Sequence, residues 1–238
     1  DSAPFGLALV GAAGSGLRGG AALVGACFGS MTALDFSSGL RYSSAAILTF
    51  AIHFAFCEWR VLRRPWAMPL IAGALDAFTG FIVRSQTGWR TVDAICFVLE
   101  ALLTVLAVWA FQGALSPAAG RTRDSAGPLH RLVGTTALLC ACLAALEPLY
   151  LYKGISLGRA AAVMAVLTAA WQGGPAAGAV QGVVIGLSMD LAGQAAPMYA
   201  MACGLSGLAA GLRRGQGRLG AAVIYVLTNG AAVLWTWG

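Results

Sequence analysis

Five ionisable side chains interrupt or border long apolar runs. His53 lies in LTFAIHFAFCEW, Asp76 in IAGALDAFTGF and Glu100 in CFVLEALLTVLAVWAF, while Glu147 and Asp190 fall nearer the ends of their runs. An ionisable group surrounded by hydrocarbon is costly, so it marks an ion or proton pathway or is held by a partner. His53, Asp76 and Glu100 therefore form the candidate intramembrane polar site. Two chemistries fit it. Groups converging near a bilayer midplane would serve proton- or ion-coupled transport. Groups paired with a nearby Thr, Ser or His would be structural. Glu147 and Asp190 are placed to reach the headgroup region.

Catalytic chemistry of the soluble kind has no footing. The chain has no phosphate-binding G-x-x-x-x-G-K loop, no H-E-x-x-H, no G-x-S-x-G and no C-x-x-C pair. Two histidines exclude a His-rich metal site, and the nine acids do not cluster as a metal-dependent hydrolase needs. The six cysteines lie in or beside apolar runs and read as small packing residues. No catalytic, cofactor-binding or metal-binding residue is expected, and the chain reads as no enzyme in itself.

The elements that position the polar site follow from composition. Of 238 residues, 59% are hydrophobic and 10% charged, with mean hydropathy +0.79. A soluble domain carries roughly 25% charged residues, so this chain cannot clothe a water-facing surface. The expected fold class is all-α: a polytopic membrane helix bundle. Ten apolar segments are read, at 4–16, 17–34, 41–62, 66–85, 91–115, 129–151, 156–172, 173–191, 195–212 and 217–238. The runs are continuous rather than alternating, which excludes a β-barrel pattern. The first is too short to span alone, so 4–34 is either two short helices or one helix broken at Gly14–Gly20. The polar stretch SPAAGRTRDSAGP, 116–128, divides a single membrane domain into halves 1–115 and 129–238, with no soluble domain. Asp1 in place of a start methionine suggests a fragment or a processed chain, and no signal-peptide pattern is visible.

Glycine spacing predicts how the helices meet. Gly174, Gly178, Gly182 and Gly186 recur every fourth residue, and Gly207 and Gly211 repeat the interval; Gly16 and Gly20, then Gly25 and Gly29, do so near the start. Residues four apart share one helix face. A Gly costs about 1 kcal/mol against Ala in a helix interior, so a face of them needs a compensating gain. In lipid that gain is close backbone approach and van der Waals contact. These positions are the expected helix-packing residues, a glycine-zipper pattern joining helices within one chain or between copies.

The net charge of +6, 15 basic against 9 acidic residues, is spread singly or in short clusters between apolar runs. That pattern suits loops against an anionic bilayer surface and does not suit nucleic acid. Odd-numbered loops carry Arg18, Arg60, Arg63, Arg64, Arg121, Arg123, Arg131, Arg213, Arg214 and Arg218; even-numbered loops carry Arg41, Arg84, Arg90, Lys153 and Arg159. Loop charge alone thus puts the odd loops inside and both ends outside.

The run GISLGRAAAVMAVLTAAWQGGPAAGAVQGVVIGLSMDLAG, 154–193, followed by YAMACGLSGLAAGLRRGQGRLGAAVIYVLTNG, 199–230, resembles the N-terminal membrane region of stage II sporulation protein E (SpoIIE). The order carries the likeness: G-I-S-L-x-R, a helix ending in Gly-Gly, a Gly-stepped helix, a G-L-x-x-G-L block, a basic turn with G-R-L-G, and a last helix holding Asn-Gly. APFGLAL at 3–9, GLRYSSA at 39–45 and LEALLTVLAVWAFQGAL at 99–115 extend it across nearly the whole chain. The resemblance implies ten spans at the polar sporulation septum. It also implies a following cytoplasmic part that self-associates, binds the division protein FtsZ and ends in a manganese-dependent PPM-type serine phosphatase. That phosphatase activates the forespore sigma factor through an anti-anti-sigma factor. On this view the present residues anchor and cluster the protein, with lipid and further copies of the chain as partners. The resemblance implies a cytoplasmic end after Gly238, opposite to the side that loop charge gives. The alternative reading is a small-molecule transporter or a substrate-binding membrane component of one.

Overall fold

The structure is a computed structural model and describes residues 4–56, 59, 64–87, 91–115, 128–146, 150–152, 155–192, 198–213, 215 and 217–237. Among these residues there are nine helices and one short ribbon. The helices are α1 (Phe5–Ala13), α2 (Leu17–Ala33), α3 (Phe36–Ala55), α4 (Ala67–Thr87), α5 (Thr91–Leu115), α6 (Pro128–Leu146), α7 (Leu157–Ala192), α8 (Tyr199–Leu212) and α9 (Arg218–Trp237). The strands β1 (Tyr150–Tyr152) and β2 (Ile155–Ser156) pair antiparallel ahead of α7. The fold is otherwise all-helical, as the continuous apolar runs predict.

Among the described residues, three helices are long and apolar enough to cross a membrane by length and composition: Ala67–Ser85, Ala94–Leu115 and Arg218–Trp235. His130–Leu146 and Tyr199–Leu212 are apolar but shorter. Ten such spans, as read from hydropathy, are not all met by the described helices. The reason is that an apolar run measures solvent preference, whereas a span also needs about 20 residues of unbroken helix. The nine residues of α1 reach only about 14 Å at 1.5 Å per residue.

Two compact units divide the chain, Asp1–Leu138 and Leu139–Gly238. The boundary falls inside α6 and not in the polar stretch at 116–128, of which 116–127 lie outside the described residues. The start of α6 is held by α5. The His130 ring lies 4.0 Å from that of Trp109 between centroids, and its Nε2 is 3.1 Å from the Trp109 carbonyl. A methyl added at Gly134 would overlap the Ala110 carbonyl.

In the first unit α1 packs on α2, α3, α4 and α5. Leu7 and Val10 are buried with Ala45 and Ala46 of α3. Gly14, at φ 87°, ends α1 and turns the chain into α2, so the stretch 4–34 forms two helices. Gly16 just ahead of α2, and Gly20, Gly25 and Gly29 on it, have no atom within 4 Å of an added Cβ. The four-residue spacing of these glycines does not bring a described neighbour onto them.

In the second unit α7 is two limbs, 157–173 and 175–192, because Gly174 is non-helical at φ 80°, ψ −165° and Pro175 follows it. Gly174 is thus the reversal point, and a methyl added at Gly211 would come 2.8 Å from its carbonyl carbon. The reversal is visible in what the limbs touch. The Arg159 guanidinium lies 5.1 Å from the Tyr199 ring centre, and the Gly186 backbone presses on the Tyr199 carbonyl. An unbroken helix would hold residues 159 and 186 about 40 Å apart. Helix α8 packs along α7 in close register: added methyls at Gly178, Gly182 and Gly186 would overlap the carbonyl oxygens of Gly207, Cys203 and Tyr199. Reciprocally, one at Gly207 would strike Gly178, and one at Gly211 would come 2.5 Å from Pro175 Cα. Val166, Ile185, Met189, Ala210, Leu143 and Tyr225 fill the core around this pair.

These contacts are backbone to backbone and cannot yield by rotamer change. Gly182→Leu is expected to lower the stability of the full chain in detergent by at least about 1–3 kcal/mol through overpacking. Gly29→Leu, facing open space, should leave the thermal unfolding midpoint unchanged.

Candidate functional site

Helices α3, α4 and α5 meet around one guanidinium. Arg41 sits in the second turn of α3 and directs Nη2 to Asp76 Oδ1 on α4 at 3.2 Å and to Glu100 Oε1 on α5 at 3.1 Å. The side chains are 10%, 1% and 7% exposed, respectively. Tyr42 donates its hydroxyl to the same Glu100 oxygen. Thr104 Oγ1 lies 2.7 Å from Asp76 Oδ2 and 3.0 Å from the Glu100 carbonyl one turn earlier. The Tyr42 ring stands 4.9 Å from the guanidinium carbon, a distance suited to cation–π attraction.

The helix spacing explains why this cluster assembles. Asp76 and Gly80 are four apart on α4, and Glu100 and Thr104 four apart on α5, so each pair shares a face. Gly80 supplies room: an added Cβ would lie 2.7 Å from Arg41 Nη2 and 2.8 Å from Phe97 Cε2. The guanidinium crosses α4 where a side chain is missing and so reaches both acids. Gly73, a further two turns back, lets Val105 of α5 approach in the same way.

The structure joins Asp76 and Glu100 but leaves His53 out of the cluster. His53 is half-buried on α3, twelve residues and about 18 Å of helix beyond Arg41, and its Nδ1 has no hydrogen-bond partner among the described residues. Asp190 is engaged elsewhere. Its carboxylate accepts from the backbone N–H groups of Met198, Tyr199 and Ala200 at 3.1, 3.0 and 2.9 Å. It thereby satisfies the otherwise orphaned donors at the start of α8, where the helix dipole also favours negative charge. Glu147 lies outside the described residues. Among the described residues no three His, Cys, Asp or Glu side chains converge as a metal ion would require.

Arg41, Tyr42, Thr104 and Gly80 are the members that sequence reasoning missed. Counting loop charges assigned Arg41 to a loop, because it stands at the head of the run 41–62. The correction is physical: Arg41 is a buried helical residue, and its charge is spent on two acids and not on a membrane surface. The spacing D-x-x-x-G on one run and E-x-x-x-T on another was the available signal.

A family model described as SpoIIE, N-terminal domain, matches residues 2–234. The chain belongs to the SpoIIE N-terminal domain family. No curated protein and no solved structure matches it. Membership of that family accords with the apolar helices of the chain and places the buried cluster within a SpoIIE-type membrane domain.

Removing one partner from a buried ion cluster leaves an uncompensated charge and costs about 3–5 kcal/mol. Arg41→Met should destabilise the detergent-solubilised chain by that amount, measured by denaturant unfolding followed by tryptophan fluorescence. Gly80→Leu should act through the same guanidinium. The double variant should therefore cost clearly less than the sum of the two singles, a non-additivity read from a double-mutant cycle.

Proposed function

We propose that these residues are the membrane-anchoring and assembly part of a SpoIIE-type protein, without catalytic residues of their own. The observation that carries the reading is the family match over 2–234, and the three helices able to cross a membrane support it. The anchor would hold a cytoplasmic phosphatase of the PPM type, with its manganese, at the polar sporulation septum. FtsZ and other division proteins would be reached through that cytoplasmic part. The lipid bilayer and further copies of the chain are the partners of the present residues.

The way unit two is packed suits an anchor. Its glycine faces are filled by α8 of the same chain. The charged cluster of unit one pairs its members with one another.

A fluorescent protein fused after Gly238 tests the reading in a sporulating host. The expected result is a signal that stays with membranes after alkaline extraction and collects at the polar septum. A uniform signal around the whole membrane would remove the septal part of the proposal, and a soluble signal would remove the anchor.

A further inference from the structure

Asp76, Glu100 and Arg41 count two negative charges against one positive, all in the interior of one helix bundle. With both acids ionised the cluster would hold a net charge of −1 away from water, and an unpaired buried charge is costly enough that such a site neutralises itself. We propose that the cluster is a proton-binding site, and that the bound proton resides on Asp76 Oδ2, with Glu100 as the ionised counter-charge of Arg41.

The hydrogen bonds distinguish the two acids. Glu100 Oε1 accepts from two donors, the Arg41 guanidinium and the Tyr42 hydroxyl. Two donors on one oxygen are what a carboxylate needs. Asp76 faces one donor, Arg41 Nη2 at Oδ1, and at Oδ2 it faces a hydroxyl that can act either way. Thr104 Oγ1 is 2.7 Å from Asp76 Oδ2 and has a second acceptor, the Glu100 carbonyl, at 3.0 Å. A protonated Asp76 donates to Thr104, and Thr104 donates its own proton to that carbonyl. Every hydrogen then has an acceptor. Placing the proton on Glu100 Oε1 instead would set an O–H among two donors.

Among the described residues, the surroundings add no competing charge. Asp76 is faced by Arg41 and Tyr42 from α3 and by Glu100 and Thr104 from α5. Helix α1, which also packs on α4, has no ionisable side chain. A second feature points to exchange with water. Arg41 is nine-tenths buried, and its Nε is buried with no hydrogen-bond partner among the described residues. Buried donors of this kind are commonly satisfied by water. Occupancy by the proton keeps the cluster neutral and α3, α4 and α5 clamped; its loss leaves a net negative charge between them. The inference stands independently of what the domain anchors.

Infrared spectra of the full chain in detergent at neutral pH, with and without deuterium exchange, test the proposal on the wild type, Asp76→Asn and Glu100→Gln. The expected result is a protonated-carboxyl stretching band in the wild type that Asp76→Asn abolishes. Asn reproduces the neutral acid, accepting from Arg41 and donating to Thr104, so this variant should keep the wild-type unfolding midpoint. Glu100→Gln removes the ionised counter-charge of Arg41 and should lower the midpoint sharply. The proposal is overturned if the wild type lacks the band or if the band survives in Asp76→Asn. It is equally overturned if Asp76→Asn destabilises the chain as much as Glu100→Gln does.

Discussion

Helices in lipid gain little by hiding apolar surface from one another, since the solvent is as apolar as they are. What remains is contact at short range, and both units of this chain are built around removing atoms to permit it. In the second unit three glycines on α7 admit the carbonyls of α8. In the first, Gly80 admits a guanidinium and Gly73 a valine. A missing side chain is used in one place to bring backbones together and in another to bring a charge to its partners. The same residue type thus serves dispersion and electrostatics through one geometric property.

The charge cluster depends on that space in a further way. A guanidinium held by two acids from two helices fixes three helix faces at once, because its donors are planar and rigid. Buried ion pairs give uncertain net stability, as desolvation offsets their attraction. Their firmer contribution here is register. Sliding α4 or α5 by one residue would rotate Asp76 or Glu100 by about 100° away from Arg41, given 3.6 residues per turn. The apolar remainder of these helices, with Leu102, Leu103 and Leu106 exposed on α5, does not discriminate between such registers.

Much of this was legible in the residues. Continuous apolar runs gave helices, and GISLGRAAAV through LTNG gave the family. Asp76 and Glu100 were marked by their setting, as charges in hydrocarbon are. Three things were not legible, each because it depends on contact across helices. Arg41 stood at the edge of a run and so looked like a loop charge. His53 shared the setting of the two acids but stands several turns along its own helix from the cluster. Gly174 matched the four-residue interval, yet the proline after it and its positive φ made it a reversal. Spacing alone cannot separate a glycine that packs from one that bends.

That reversal bears on how the unit is made. Because the limbs of α7 are joined by one residue, Gly174, and α8 follows closely, the tightest packing in the unit is among segments adjacent in the chain. Short-range contacts of this kind close small loops and form quickly. The helices from 157 to 212 have their main mutual contacts available as soon as they have been synthesised, before α9 is complete. The last helix packs on the surface they form, where Ala210 and Val166 share one buried cluster with Tyr225. Biosynthetic order and spatial order coincide there, whereas α1 of the first unit must wait for α5, some hundred residues later in translation, before its burial is finished.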